Sequence, residues 1–316
     1  MKGLLKTLLF LIAGTAFAQP YPSKPIRVIV PFSPGGPVDV VMRLLSPRMT
    51  EMLGQPLVIE NKTGAGGNLG VQQVARAPAD GYTVLATSSS FAVNPALTPD
   101  AGYNPEKDFI AVAVVASQPN FIVVNAAFPA RTLAELLQMA RTQKLAFASP
   151  SSGTTPHLTA ENLFKVRAKV DITHVPFRGA GPAVAAVLGG EPPIGSMAGT
   201  APMPHLKSGK LRALAVSSSK RLASLPDVPT LNELGYPDME DYTWVGLFLP
   251  AGTPTAIAQK LNDAVIRTVQ SADIRERLDG LTFEPTAAPL RETADYVKSE
   301  LVKWAKVVRD TGAKAE

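Results

Sequence analysis

The sequence contains no cysteine among its 316 residues, which excludes disulfide bonds, thiolate metal sites, thiol catalysis and the lipid-modified cysteine of a lipoprotein. Histidine is scarce, and His157, His174 and His205 are not paired at i and i+4, so a helical zinc site is excluded and we expect no metal. Charged residues make up 18% of the chain and are interspersed, which argues against a nucleic-acid partner.

Long apolar runs are missing except near the first residue. Lys2 and Lys6 precede an apolar stretch, residues 8–18, that ends in Ala-Phe-Ala. This pattern predicts a cleavable secretory signal, residues 1–18, because a membrane anchor needs roughly 20 apolar residues. Removal of these two lysines lowers the formal charge from +5 to +3. We therefore expect a soluble periplasmic protein that begins at Gln19.

The motifs of several enzyme classes are also missing or out of order. No G-x-S-x-G elbow occurs, and the S-x-x-K at residues 217–220 follows the K-T-G at residues 62–64, the reverse of the order in penicillin-binding enzymes. Glycines between residues 64 and 70 have a spacing close to that of dinucleotide-binding loops. The next predicted strand ends in Thr87 and Ser88 rather than in a carboxylate that holds a ribose. We expect no cofactor.

What is present is a strand, a glycine loop and a helix in immediate succession. The apolar run Ile26–Val30 predicts a buried strand, and residues 38–53 have a helical pattern. Between them Gly35 and Gly36 permit unusual backbone angles and Pro37 suits the first turn of a helix. Such a helix start is able to bind an anion. A tight, well-capped turn explains this single loop equally well, so both interpretations stay open here.

The same order of elements recurs along the chain and predicts two α/β lobes with a ligand cleft between them. Extended segments at residues 119–127 and 236–250 are expected to cross between the lobes, and we find no internal sequence repeat. The loop at residues 87–95 supplies hydroxyls that either bind a ligand or cap a helix. The predicted strands are residues 56–60, 82–86, 109–116, 120–124, 145–148, 172–176, 194–197, 211–217 and 244–249, and the predicted helices are residues 69–76, 133–141, 158–166, 184–188, 203–207, 254–270 and 290–310.

Six motifs in one order resemble those of the Bug receptors, the periplasmic binding proteins of tripartite tricarboxylate transporters. They are PFSPGGPVDVVMR, ENKTGAGGNLG, GTTPHLTAE, VPFRGAGPA, PHLKSGKLRALAVSSSKR and LPDVPTLNELGYP. The resemblance covers essentially the whole mature chain. It implies a type II periplasmic-binding fold, with a first lobe at residues 19–122, a second at residues 123–238, and a return to the first at residues 239–316. It also implies a monomeric receptor, not an enzyme, that delivers a small organic carboxylate to membrane subunits.

The resemblance further implies the residues that bind the ligand through backbone amides, hydroxyls and waters. Asp39 and Arg43 match the family pattern as well, but at i and i+4 on one helix they are expected to pair with each other. The predicted ligand-binding residues are Phe32, Ser33, Gly35, Gly36, Ser88, Ser89, Ser90, Gly153, Thr154, Thr155, His157, Arg178, Gly179, Ala180 and Met197.

The chain departs from the family pattern at residues 191–202. The alignment places Pro193 and Met197 where relatives carry aspartates, the second of which faces the ligand in some of them. An amino group of a ligand would then lack a partner, which argues against an amino acid. A second function class, a secreted hydrolase or isomerase that uses the same cleft, stays open, although the sequence suggests no nucleophile and base for it.

Overall fold

The computed structural model describes residues 21–98 and 100–314, so the predicted signal peptide lies outside the described residues. The described strands are β1 (Ile26–Val30), β2 (Leu57–Asn61), β3 (Thr83–Ser88), β4 (Phe109–Asn125), β5 (Leu145–Ser149), β6 (Ile172–Pro176), β7 (Ile194–Ala198), β8 (Leu211–Val216), β9 (Tyr242–Pro250) and β10 (Glu284–Pro285). The described helices are α1 (Pro37–Leu53), α2 (Asn68–Ala75), α3 (Ser90–Leu97), α4 (Leu133–Ala140), α5 (Thr155–Glu161), α6 (Ala180–Gly189), α7 (Met203–Lys207), α8 (Thr255–Gln270), α9 (Ala272–Gly280) and α10 (Leu290–Thr311).

The strands form two pleated regions that share β4. In the first lobe the order is β2-β1-β3-β9-β4, with β1 parallel to β2 and β3 and with β9 antiparallel to both its neighbours. In the second lobe β4 lies between β8 and β7, and β5 and β6 follow β7 in parallel. The α/β fold with two lobes that the sequence predicts is confirmed.

β4 connects the lobes as one continuous strand, which corrects the prediction of two separate strands. Its residues up to Pro119 pair with β9, and its residues from Asn120 onward pair with β7. The polar sequence Ser-Gln-Pro at residues 117–119 made the segment look interrupted. The strand continues because Gln118 is fully buried and its Oε1 accepts hydrogen bonds from the Thr200 amide, 2.7 Å, and hydroxyl, 2.8 Å.

Each lobe has apolar cores on both faces of its sheet. In β1, Val28 and Val30 pack towards α1 and α8, whereas Ile29 faces the opposite core, which contains Phe91 and Trp304. α10 packs on α3 and β4 and also contacts α5 of the second lobe. None of the helices in the described part of the chain is long and apolar enough to cross a membrane.

Some elements differ from the sequence-based prediction. The predicted loop at residues 87–95 becomes helix α3 from Ser90 onward, because Phe91, Val93 and Leu97 enter the core. α5 begins at Thr155, earlier than expected, and continues into a π-helical turn, Asn162–Arg167. α9 was not predicted, since it is short and rich in charge.

Candidate ligand-binding site

A cleft of about 720 Å³ lies between the lobes, at the ends of strands from both of them. Ligand sites of small molecules typically have about 300–1,000 Å³. The lining residues are Pro31, Phe32, Ser33, Pro34, Gly35, Gly36, Pro37, Val38, Thr63, Gly64, Ala65, Gly66, Gly67, Ser88, Pro150, Ser151, Thr154, Thr155, Pro156, Phe177, Arg178, Gly179, Ala180, Gly181, Pro182, Ala198 and Thr243.

The loop between β1 and α1 forms one wall of the cleft and is held from below by a buried carboxylate. Asp39, only 2% exposed, accepts hydrogen bonds from the Gly35 amide at 3.0 Å, from Arg43 Nε at 2.9 Å and from Asn61 Nδ2 at 3.0 Å. Burial acts to raise the pKa of Asp39, but these hydrogen bonds outweigh it and hold the pKa below its ordinary value. The predicted pairing of Asp39 with Arg43 is present.

This arrangement aims the start of α1 at the cleft. Gly36 caps the helix without a side-chain partner and Gly35 has a φ of 79°, a conformation that favours glycine. The amides of the first helical turn have no partner inside the helix. They are therefore available to a ligand oxygen, and Asp39 is turned away from it.

The loop between β6 and α6 forms the opposite wall and resembles the first loop in sequence. Residues 31–37 read PFSPGGP and residues 176–182 read PFRGAGP, so the two loops share a short sequence similarity. A Cβ built on Gly179, whose φ is 122°, would lie 3.8 Å from Ser33 Oγ. The two loops therefore face each other across the cleft and bring the starts of α1 and α6 together.

His157 is placed behind the cleft rather than in its wall. It is 3% exposed, its Nδ1 accepts from the Gly153 amide at 3.3 Å, and its ring stacks on His174 with centroids 3.9 Å apart. Burial, with smaller contributions from His174 and Lys165, lowers the pKa of His157 to about 3. Burial and Lys165 lower the pKa of His174 to about 4. Both rings are neutral at physiological pH and act as packing groups.

Ser149 and His174 form a hydrogen bond that resembles a nucleophile–base pair. Their Oγ and Nε2 atoms are 2.7 Å apart. However, Ser149 is fully buried and neither residue lines the cleft. The depressed pKa of His174 also makes it a weak base at neutral pH. This contact, which the sequence did not suggest, does not form a catalytic site in the cleft.

Of the three consecutive serines at residues 88–90, only Ser88 is among the described lining residues of the cleft. Its Oγ is 2.8 Å from Ser90 Oγ, and Ser89 Oγ is 3.0 Å from Thr155 Oγ1, with Ser89 fully buried. Ser89 and Ser90 therefore support the wall from behind.

Met197 does not face the cleft. Its side chain is fully buried in the core under α6, where it packs with Phe121 and Val187, and its neighbour Ala198 lines the cleft instead. Successive side chains of a strand point to opposite faces, so a shift of one position decides which residue meets the ligand. The alignment that placed Met197 at the ligand does not agree with this geometry.

The structure thus brings most of the predicted residues to one cleft and separates a few from it. The predicted residues in the lining are Phe32, Ser33, Gly35, Gly36, Ser88, Thr154, Thr155, Arg178, Gly179 and Ala180. Those outside the lining are Ser89, Ser90, Gly153, His157 and Met197. Among the residues that sequence reasoning missed, Phe177 was detectable because it corresponds to Phe32 in the similar loop. The loop of Thr63 to Gly67 was detectable as well, since its glycines follow β2.

The charge of the lining is carried by one side chain. Of the lining residues in the described ranges, Arg178 is the only one with a formal charge, and none carries a carboxylate. Arg178 is exposed. The cleft therefore has a positive balance, to which the starts of α1 and α6 add their partial charges.

A chain of buried hydrogen bonds passes between the lobes beside the cleft. Thr155 Oγ1 lies 2.7 Å from Thr243 Oγ1, which donates to Asn120 Oδ1 at 2.8 Å. Asn120 Nδ2 donates to Thr159 Oγ1 at 3.0 Å, and Thr159 donates to Asp241 Oδ2 at 3.1 Å. The chain thus connects α5 of the second lobe with β9 of the first lobe through the crossing strand β4.

Comparisons with known proteins agree with this architecture. A family model described as "Tripartite tricarboxylate transporter family receptor" matches residues 41–313. Protein BugT of Bordetella pertussis is 38% identical over 307 residues, which cover 96% of this chain and 94% of that protein. The periplasmic binding protein BugD has a TM-score of 0.87 at 32% identity, with 94% of this chain and 100% of that chain covered. R. palustris Rpa4515, solved with adipate, has a TM-score of 0.88 at 32% identity and the same coverage.

Proposed function

Because the chain belongs to the tripartite tricarboxylate transporter receptor family, we propose that it captures a small organic carboxylate between its lobes and delivers it to the membrane subunits of such a transporter. Solute receptors of this kind bind without turnover, so the protein is not an enzyme. The related Rpa4515 was solved with adipate, a carboxylate.

The observation that carries this proposal is that two helix starts meet across one cleft whose described lining residues include the cationic side chain of Arg178 and no carboxylate. The starts of α1 and α6 supply amides without intrahelical partners, and Arg178 supplies a guanidinium. A carboxylate loses several kcal/mol when it leaves water without partners. These donors offset that cost, and a single bound carboxylate would contact both lobes.

We assign the protein to the periplasm as a monomer. The family comparison with a periplasmic binding protein and the predicted signal at residues 1–18 support this location. The segments predicted for the lobes, 19–122, 123–238 and 239–316, are retained, and the change of strand partner after Pro119 supports the first junction. Mass spectrometry of the exported protein should find Gln19 as the first residue, and a retained residue 1 would contradict the assignment.

A thermal-shift screen of organic acids, amino acids, sugars and phosphates tests the function. A ligand at about 100 times its Kd stabilises the folded state by about 2.7 kcal/mol. We expect acids to raise the unfolding temperature of the native chain and to raise that of Arg178→Gln by less. Arg141→Gln changes an exposed arginine outside the cleft and serves as the control, which should show the same rise as the native chain. Recovery of the acid unaltered after incubation separates a receptor from a hydrolase or isomerase. A shift with sugars or free amino acids, and none with acids, would overturn the proposal.

A further inference from the structure

In the chain of buried hydrogen bonds beside the cleft, each group has a fixed role as donor or acceptor. The assignment of these roles begins at Asp241. Asp241 Oδ1 forms an ion pair with Lys303 Nζ at 2.9 Å, and in this pair the carboxylate oxygens of Asp241 accept hydrogen bonds. Thr159 therefore uses its single hydroxyl proton to donate to Asp241 Oδ2. Its lone pair then accepts from Asn120 Nδ2, which leaves Asn120 Oδ1 as an acceptor on the opposite side.

The same logic determines the hydroxyls that reach the cleft. Thr243 has one proton and donates it to Asn120 Oδ1 at 2.8 Å. The 2.7 Å contact between Thr155 and Thr243 therefore requires Thr155 to donate, and the 3.0 Å contact with Ser89 requires Ser89 to donate to Thr155. The hydroxyls of Thr155 and Thr243 have thus both used their proton inside the protein. Each keeps a lone pair.

We call Thr155 and Thr243 the acceptor pair of the cleft. A hydroxyl or amide hydrogen of a ligand matches the acceptor pair, whereas a second carboxylate would meet lone pairs there. Arg178 and the starts of α1 and α6 supply donors to the same cleft. The lining therefore offers a ligand both donors and the acceptor pair.

The remaining lining is largely apolar. Phe32 and Val38 from the first lobe and Phe177 and Ala198 from the second lobe line the cleft together with several prolines. These groups favour an apolar body over a chain that carries further polar groups. Among the described lining residues no acidic side chain is present to pair with an ammonium group.

We infer that the preferred ligand is a monocarboxylate with an apolar, aromatic body and a hydroxyl group at the far end from its carboxylate. The carboxylate contacts the helix starts and Arg178, the ring lies against Phe32 and Phe177, and the hydroxyl donates to the acceptor pair. This inference rests on the proposed receptor function and specifies its substrate class. A dicarboxylate of the same length is discriminated against.

Three acids that differ in a single substituent test the inference: benzoate, 4-hydroxybenzoate and terephthalate. We expect calorimetric titration of the dialysed protein to give the tightest binding for 4-hydroxybenzoate and binding at least ten-fold weaker for terephthalate. A polar group that is left unmatched in a buried site causes discrimination of this size. Terephthalate binding as tight as 4-hydroxybenzoate, or 4-hydroxybenzoate no tighter than benzoate, would overturn the acceptor pair.

Thr159 offers a variant that acts on the acceptor pair without lining the cleft. Thr159→Val removes the acceptor of Asn120 Nδ2, so the Asn120 amide is free to turn and donate to Thr243, whose proton then becomes available to a ligand. We expect the preference for 4-hydroxybenzoate over terephthalate to fall several-fold in Thr159→Val. It should be retained in Thr159→Ser, which keeps the hydroxyl. An unchanged preference in Thr159→Val, with native unfolding behaviour, would contradict the fixed direction of the chain.

Adipate and succinate serve as reference acids that distinguish a failure of the inferred substrate class from a failure of the proposed receptor function. If these flexible dicarboxylates bind and the aromatic acids do not, the inferred substrate class is wrong and the receptor function stands. If no acid of either set binds, the receptor function itself is wrong.

Discussion

Gly153 of the second lobe lies close against Asn94 of the first lobe. Its φ is 76°, and a Cβ at this position would overlap Asn94 Oδ1, whose side chain is held by Asn68 and Gly66. Gly209 has a similar φ of 69° and free space around it. A substitution therefore strains the backbone at both glycines. Only at Gly153 does it also create a clash between the two lobes.

We predict that Gly153→Ala destabilises the protein more than Gly209→Ala does. The left-handed backbone costs a non-glycine residue about 1–2 kcal/mol at either site. Overlap with Asn94 adds about 1–3 kcal/mol at Gly153 only. Urea unfolding measures both variants, and Gly153→Ala should also bind acids more weakly because the lobes are pushed apart. Equal destabilisation of the two variants would show that the lobes do not meet at Gly153.

The stacked histidines predict a dependence of stability on pH. The folded-state pKa values of His157 and His174, about 3 and about 4, lie below the ordinary value, so the unfolded chain binds more protons as the pH falls. Their contribution is complete above about pH 6.5 and is lost progressively towards pH 4. Between pH 6.5 and 5, the contribution of each histidine to the free energy of unfolding falls by up to about 2 kcal/mol.

His174→Gln tests this contribution, since it removes one titrating ring and keeps a polar side chain. We expect the fall in unfolding free energy between pH 7.5 and 5 to be clearly smaller in His174→Gln than in the native chain. His205→Gln, on α7 and outside the pair, serves as the control and should keep the native slope. If His174→Gln and the native chain lost the same free energy, the pair would not be the cause.

At the scale of elements, α10 supplies the cation that neutralises two buried carboxylates at the lobe junction. Lys303 Nζ lies 2.9 Å from Asp241 Oδ1 and 3.9 Å from Glu300 Oε1. Burial acts to lower the pKa of Lys303, but Asp241 and Glu300 hold it above its ordinary value. Glu300 Oε2 also accepts from the indoles of Trp244 and Trp304, each at 2.9 Å.

Lys303→Met should therefore lower the free energy of unfolding more than Lys306→Met does, one turn further along α10. Removal of Lys303 leaves two buried carboxylates without a cation, which we expect to destabilise the protein by about 2–3 kcal/mol, since the lysine is partly exposed. Lys306 pairs with Asp310 on the surface, so Lys306→Met should cost at most about 1 kcal/mol. Chemical unfolding at pH 7.5 measures both, and equal costs would contradict a buried ionic junction.

The elements that the sequence predicts well are those whose boundaries have a local chemical cause. β1 coincides with a largely apolar run. α1 begins at Pro37 and ends before Gly54, whose φ is 71°. α3 was missed because serines and Pro95 suggest a loop, whereas the contacts that make it a helix come from distant strands. In the site, whether Met197 or Ala198 lines the cleft depends on which face of β7 points towards it. No local sequence pattern reveals that orientation.

At the scale of the whole molecule, the two lobes line one cleft and are joined by β4 and the segment at Asp241. Motion between the lobes is therefore expected to occur as a hinge at these crossings. We predict that small-angle X-ray scattering gives a smaller radius of gyration with a saturating bound acid than without it. A sugar that causes no thermal shift serves as the control. An identical radius in both states would show that the cleft does not open.

The position of β9 between β3 and β4 has a consequence for the order in which the lobes fold. The first lobe needs residues 242–250 at the centre of its sheet, although β1, β2, β3 and the part of β4 that pairs with β9 come from the first 119 residues. The second lobe is contained almost entirely between these segments. A chain that emerges from its N-terminus is therefore able to complete its second lobe first, while the edges of β3 and β4 wait for the last third of the polypeptide. We therefore expect the second lobe to complete its fold before the first, although the first lobe is synthesised earlier.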